Sequence, residues 1–412
     1  MPANDGSAMK AGGTALLTVL GLWGLGVAVG AIGPVAWAQR LGMLPLLVLA
    51  VAAMLVAYRP QPGEILRNAA FLLLAAGCAW ILLSLAWAPR VLPDRVGAVI
   101  GTLVLCGLAV ALSRPPPDPH DWRLRAVFLL SIAFLVAALA VEAATLGAGS
   151  AAIRGVESVG RAVWSRGAAV LVVMVWIALA ILVERRWYIP ALILAAVAGY
   201  AIWGGTMRSA QVASVTGLIA FACAALAPRI VPVLSAVAFS LYALAAPWLS
   251  LHLITEAAGF RWVSSLPLSA YHRLAIWEQA AVRILENPVT GMGFGAARWI
   301  SDQHARMGLT ADARVSVDVM PLHTHNGWLQ LWLELGLVGL LVALALVGLA
   351  ALGARRRYTE RPALMAVAGA MTAAMTVASL SFGIWQEWWL ATLMLSAVLL
   401  LTLFPAAGRT RS

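Results

Sequence analysis

Leu322-His-Thr-His-Asn-Gly-Trp-Leu-Gln-Leu-Trp-Leu-Glu-Leu-Gly-Leu-Val-Gly339 joins a polar, proton-handling head to a long apolar run. From Gly327 to Ala354 the chain carries one charged side chain, Glu334. A run of that kind exceeds the ~20 residues that cross a bilayer as a helix. His323, His325 and Asn326 precede it, so an imidazole stands where the helix meets water. A titratable group at that boundary can act on a substrate anchored in lipid.

The rest of the chain reads the same way. Of 412 residues, 62% are hydrophobic and 11% charged, and the mean hydropathy is +0.91. Soluble domains are about one quarter charged, so this composition excludes one. In lipid only helices and closed barrels satisfy their own backbone groups, and the apolar runs are too long and uniform for barrel strands. The predicted fold is an all-α polytopic membrane protein. Roughly twelve spans are expected: 14–37, 41–58, 69–87, 96–113, 126–147, 167–184, 189–206, 211–227, 230–254, 325–352, 363–382 and 388–404. They divide the chain into an N-terminal bundle (1–254), a polar connection (255–324) and a C-terminal set of spans (325–412). The run from Thr14 to Trp37 is too long for a signal-peptide core and is expected to remain as the first span.

The net charge of +11 reflects topology rather than nucleic-acid binding. Of 28 basic residues, seven (Arg40, Arg90, Arg95, Arg154, Arg161, Arg166 and Arg208) fall in short connections on the side of the long one, six fall within 255–324, and the remaining fifteen fall opposite. Cytoplasmic loops carry the excess of Lys and Arg. The expected topology is therefore multi-pass in a bacterial inner membrane, with both termini cytoplasmic and the long connection periplasmic. Cys78, Cys106 and Cys223 lie inside apolar runs and read as small buried hydrophobes rather than a disulfide framework.

Long connections are uncommon and usually functional. Within 255–324, Leu274, Trp277, Ala281, Ile284 and Leu285 follow helical spacing, which predicts an amphipathic helix lying along the membrane surface. Asn287-Pro288 ends it, and Gly291-Met-Gly-Phe-Gly295 is expected to be a flexible turn.

His325 has two readings: an interfacial histidine bonded to a carbonyl with Asn326 capping the helix, or a general base. His323, two residues earlier, is expected to face elsewhere. Arg208 and Arg273 are either anchors exposed to water and headgroups or clamps for a phosphate, for which a guanidinium is suited. Arg283, ten residues after Arg273, does not share its stripe on a helix. Glu334 lies about half a turn out of phase with His325; an intramembrane carboxylate is a functional candidate, but it and Glu142 are expected to be structural, bonded to a neighbouring helix or protonated. Asp302, Asp312, Asp318 and His304 are too sparse for a metal site. A serine nucleophile elbow and a Gly-Lys phosphate loop are absent from the sequence.

His325-Asn326, nine residues and then Gly336-Leu-Val-Gly339 resembles the signature of the O-antigen ligase and O-antigen polymerase superfamily, with the ligases the nearer match. Arg208-Ser209 looks like the family's arginine at the outer end of a middle span. Arg273 to Trp277, followed by Pro288-x-x-Gly291-x-Gly293, looks like its long periplasmic loop. The resemblance implies a glycosyltransferase C-type fold and a transfer without metal or cofactor. A glycan would pass from undecaprenyl diphosphate to lipid A–core oligosaccharide at the periplasmic face. His325 would serve as base and Arg208 and Arg273 would hold the diphosphate; His323, Arg283 and Asn326 are secondary candidates. Trp277 and Trp328 would suit a lipid-facing entry. Alternatives are an O-antigen or exopolysaccharide polymerase and, outside the enzymes, a transporter or flippase. Membrane lipids are expected partners and nucleic acid is not.

Overall fold

A computed structural model describes residues 36–58, 62–113, 122–158, 164–257, 268–303, 306–308, 316–318, 320–404 and 406. The expected first span, except its last two residues, lies outside them, as do His304 and Asp312. In chain order the elements are α1 (Ala36–Tyr58), α2 (Pro62–Ile65), α3 (Ala69–Ser84), α4 (Pro93–Leu112), α5 (Trp122–Ala144), α6 (Ala148–Arg154), α7 (Ser165–Glu184) and α8 (Tyr188–Gly204). Then come α9 (Arg208–Leu226), α10 (Val231–Ala257), α11 (Leu268–Glu286), α12 (Ala296–Ser301), α13 (Gly327–Arg357), α14 (Arg361–Leu380) and α15 (Glu387–Leu403). The strands β1 (Arg306–Gly308) and β2 (Ser316–Asp318) form one short antiparallel ladder between α12 and α13.

The chain is an all-α polytopic membrane protein. Among the described residues seven helices (α4, α5, α7, α9, α10, α13 and α14) are long and apolar enough to cross a membrane, and four shorter apolar helices accompany them. Side chains turned away from the bundle are themselves apolar: Ile189, Leu192, Leu226, Leu234 and Leu241 are all more than half exposed. In water such a surface would drive association; in lipid it is the expected exterior. The exposed Cys223 belongs to this exterior, correcting its expected burial. Arg40, placed between two spans by the sequence, lies within α1.

α7 is buried on nearly every side and α14 almost as completely. Small residues permit this crowding. The indole of Trp176 lies where a Cβ on Gly217 of α9, or on Gly369 of α14, would approach within 2.7 Å. α9 runs along α14 with Thr216 Oγ1 2.9 Å from Thr376 Oγ1, so three central helices interlock through one aromatic wedge. At one end of the bundle Arg125 spans the 2.9 Å to Glu184 and donates to the Leu403 carbonyl. Arg357 donates to the neighbouring Leu401 carbonyl, also on α15.

The other end is organised by a break. α13 does not run on as the single expected span: Gly336 has φ +65° and ψ −169°, outside helical geometry. A break in a helix frees carbonyls and N–H groups, each costly to bury unpaired. Here the connection after α11 takes them up. The Leu333 and Glu334 carbonyls accept the N–H groups of Met292 (2.8 Å) and Gly293 (2.9 Å), while the Leu337 N–H donates to Pro288 O (2.9 Å). The Leu335 carbonyl accepts Trp80 Nε1 at 2.8 Å.

So close an approach of two backbones leaves no room for side chains. A Cβ on Gly336 would lie 2.1 Å from Val289 O, and one on Gly291 (φ +67°) 2.5 Å from Gly336 N. The two glycine motifs are the halves of one joint. The segment expected to be a flexible turn is instead pinned into the helix break, and Gly293 (φ +92°) is closed against Ala88.

α11 is amphipathic as expected, but its apolar stripe comprises Ile276, Ala280, Ala281 and Ile284, all within 1% of full burial, while Leu285 points outward. Ile276, Ala280 and Ile284 cluster with Leu329 and Leu333 of α13 and Ala246 of α10. The helix therefore docks its apolar stripe on the bundle, because α13 and α10 offer it apolar side chains.

Gly336→Ala is expected to destabilise the protein by about 2 kcal/mol or more, since positive φ and a backbone clash act together. Gly348→Ala, on the same helix with open space around it, is expected to be near neutral. Thermal unfolding of the two variants in one detergent checks this.

Candidate functional site

The chain preceding α13 places the histidines. Asn326 caps the helix, its Oδ1 accepting the N–H groups of Trp328 (3.1 Å) and Leu329 (3.3 Å), and its amide donates to Tyr242 Oη at 2.9 Å. Thr324, fully buried, binds the backbone of Asn326 with its hydroxyl at both N–H and carbonyl. Between them His325 is held at φ +55°, the left-handed region that costs a branched or bulky residue roughly 1 kcal/mol or more. Such conformations persist only where the surroundings over-determine them.

His325 Nδ1 lies 2.8 Å from the Ser381 carbonyl, in the turn between α14 and α15. A carbonyl can only accept, so the neutral ring carries its proton on Nδ1 and leaves Nε2 with a free lone pair. His323 is fixed by a different bond: its Nδ1 accepts the His325 N–H at 3.2 Å. The helix starts only at Gly327, so helical phase does not separate the two rings. They meet edge to face with centroids 4.4 Å apart, contrary to the expectation that His323 faces elsewhere. Gly383 makes room, since a Cβ there would lie 3.0 Å from the His323 ring.

Charge in this corner is positive. Burial lowers the His325 pKa below the ordinary imidazole value, and the charges of Arg273 and His272 press it further down; the bond to Ser381 opposes them. Burial also drives His323 down to about 4, aided by His325, Arg95 and Arg273. Both imidazoles are therefore neutral at pH 7. His325 Nδ1 is engaged by the Ser381 carbonyl and Nε2 keeps its lone pair, whereas His323 uses Nδ1 to hold the backbone.

Arg273, within α11, is half-buried, and burial lowers its pKa. Among the described residues no carboxylate pairs with it. A partly desolvated guanidinium with no carboxylate partner among the described residues is suited to holding an anion. Arg208 starts α9, exposed, its Nη1 bonded to Gln211 Oε1 at 2.8 Å; Gln211 in turn binds the Gly205 carbonyl at 3.2 Å. The antiparallel run of α9 on α14 puts Arg208 at the same end as Ser381, yet the charges acting on the two imidazoles are those of Arg273, Arg95 and His272, not Arg208. Arg283 bonds the Gln279 carbonyl and side chain on its own helix. The structure thus gathers His325, His323 and Arg273, with Asn326 beneath them as the cap.

Two expected features fall elsewhere. Trp328 is 5% exposed, its indole bonded to Ser379 Oγ at 2.9 Å. Trp277 donates to the Thr324 carbonyl at 3.0 Å, tying α11 to the histidine loop. Neither forms a lipid-facing entry. Two contributors were not singled out by the sequence reading. Arg95, in the first turn of α4, shares with Arg208 a sign that runs against the charge bias and could have been found that way. Ser381 acts through its backbone carbonyl, which no sequence pattern marks.

Residues 162–344 match the family model described as O-antigen ligase, a span that includes Arg208, Arg273, both histidines and Gly336-x-x-Gly339. A protein of Rickettsia typhi named "Putative polysaccharide ligase" is 28% identical over 233 residues, 55% of each chain. One of the same name from Rickettsia felis is 25% identical over 321 residues, 76% of this chain and 75% of the relative. A third, from Rickettsia bellii, is 30% identical over 55% of each chain. The alignments with the R. typhi and R. bellii proteins span about half the length of those relatives. No solved structure matches the chain. Over this matched stretch, which holds the histidine, arginine and paired-glycine arrangement, the chain is similar to the O-antigen ligase family.

Proposed function

We propose that the protein transfers a glycan from undecaprenyl diphosphate to the lipid A–core oligosaccharide, at the periplasmic face of the bacterial inner membrane, with His325 as general base. The observation that carries this reading is the pairing of a neutral imidazole, whose Nδ1 is held by the Ser381 carbonyl so that Nε2 keeps its lone pair, with the guanidinium of Arg273, which has no carboxylate partner among the described residues. An acceptor hydroxyl is a weak nucleophile until its proton is taken up. As its oxygen bonds to the anomeric carbon, that proton passes to His325 Nε2, and the bond from the anomeric carbon to the diphosphate breaks. The departing diphosphate gains charge, which Arg273 stabilises without reorganisation. Arg208 serves the same leaving group from α9, its guanidinium freed from Gln211 by the incoming phosphate. The basic cluster Arg355–Arg357 at the far end of α13 faces the cytoplasm in this orientation.

A polymerase would use the same chemistry and differ in acceptor. The relatives' printed names favour the ligase reading.

In a deletion strain, His325→Ala is expected to cost at least ~100-fold in transfer and to leave lipopolysaccharide uncapped while long lipid-linked glycan accumulates. Lipopolysaccharide capped with single repeat units would instead identify a polymerase. Arg273→Ala is expected to cost about 100-fold in kcat, with Arg273→Lys recovering only part, because a lysine lacks the fork that grips two phosphate oxygens. Equal activity of all three arginine forms would refute the diphosphate role.

The pH dependence has a definite sign. A base works when unprotonated, and the free protein's His325 pKa lies below its ordinary value of about 6.5. The acid limb of kcat/KM is therefore expected below pH 6.5, with a flat profile from there to pH 8. A limb above pH 7 would show that another group is the base.

A further inference from the structure

Glu334 is a carboxylate buried to 1% exposure inside α13, and the transfer chemistry leaves it without a role. Its three hydrogen bonds reach in separate directions. Oε2 accepts Gly295 N at 2.9 Å, from the connection after α11, and Trp385 Nε1 at 2.8 Å, from the α14–α15 turn. Oε1 accepts Gln330 Nε2 at 3.1 Å, one helical turn earlier. Gln330 passes the link on, its Oε1 accepting the Ile384 N–H at 3.0 Å. The turn containing Ile384 and Trp385 is the one whose Ser381 carbonyl holds His325 Nδ1.

We infer that Glu334 is a positioning residue for the transfer reaction: through Gln330 and Trp385 it fixes the 381–386 turn, and so keeps the Ser381 carbonyl on His325 Nδ1 and the base lone pair on Nε2. The polarity of the relay is strict. A backbone N–H must meet an oxygen, so Ile384 orients the Gln330 amide with its nitrogen toward Glu334. Glu334 must then present an acceptor there, while its other oxygen accepts two more N–H groups. Neither oxygen position tolerates a donor. Glu334 lies nine residues beyond His325, about two and a half helical turns, and no hydrogen bond joins the two. It acts from the far side of the turn that bonds His325. The inference rests on His325 being the base.

The polarity supplies the test. In Glu334→Gln one oxygen becomes an NH2 group. If Gln330 keeps its orientation, two amide nitrogens oppose each other. If it flips, its nitrogen opposes the Ile384 N–H. Adding Gln330→Glu removes the conflict: Glu at 330 accepts from both Ile384 and the new Gln at 334, whose oxygen still accepts Gly295 and Trp385. The single variant is expected to lose about 10- to 100-fold in kcat with the KM for lipid-linked donor unchanged, and the double variant to recover most of it.

A second readout does not depend on activity. In protein labelled with 15N-histidine, the ring signals of His325, assigned by their loss in His325→Gln, report tautomer and titration. His325 faces Arg273 and His272 on α11, His323 beside it and the Ser381 carbonyl. Losing that carbonyl removes the contact that raises its pKa. In Glu334→Gln its titration is therefore expected to move to lower pH and the Nδ1–H form to fall, both reversing in the double variant.

Should Glu334→Gln yield no folded protein, Gln330→Leu cuts only the link to Ile384 and is expected to produce the same shift. A folded single variant with wild-type kcat and wild-type His325 titration would overturn the positioning role and leave Glu334 as packing. So would an unshifted titration in Gln330→Leu, or a folded double variant that restores neither readout. If the wild-type protein itself transfers no glycan, the proposed function fails while the NMR arm still decides whether Glu334 sets the His325 tautomer.

Discussion

A backbone group buried in a membrane protein without a partner costs several kcal/mol, and this constraint governs the break in α13. Opening a helix at Gly336 strands carbonyls before it and N–H groups after it. The segment from Pro288 to Gly293 supplies the complementary backbone groups, and Trp80 supplies one more. Because those partners belong to the connection after α11, satisfying the break also fixes where α11 lies. α11 in turn carries Arg273 to the histidines. A gap in one helix thus locates a charge on another.

The same economy holds His325 in place. His325 adopts a left-handed conformation that an isolated histidine avoids, and its environment makes that conformation the best available. Asn326 and Thr324 secure the chain after and before it, His323 holds its N–H and Ser381 its ring. Each of these is a backbone or side-chain bond in a region poor in water, where an alternative partner would be hard to find. The imidazole is consequently neutral, with its proton directed to the Ser381 carbonyl, and fixed in direction, as the proposed role of general base needs before any substrate arrives.

Much of this was readable in the chain itself. Length and hydropathy dictate a helical membrane protein because lipid offers no other way to satisfy a backbone. The helical spacing around Trp277 dictated an amphipathic element. What could not be read was which side of that helix would be buried. Leu285 and Ile284 are both apolar, and the presence of Leu329 and Leu333 on α13 selects Ile284. Likewise the sequence separates His323 from His325 by an assumed helical phase, whereas Asn326 starts the helix after both and lets the rings touch.

Fold class, the long apolar helix that follows the histidines and the presence of residue types suited to an anion and a proton follow from the sequence alone, since these depend on local composition and motif. The tertiary structure decided three things. One is that Gly336 and the glycines after Pro288 form a single joint. Another is that Arg273 rather than Arg208 acts on the imidazoles. The third is that a main-chain carbonyl at Ser381 sets the tautomer. Each is a contact between segments distant in the chain, and a backbone carbonyl or a missing Cβ acquires its meaning only from what folds against it.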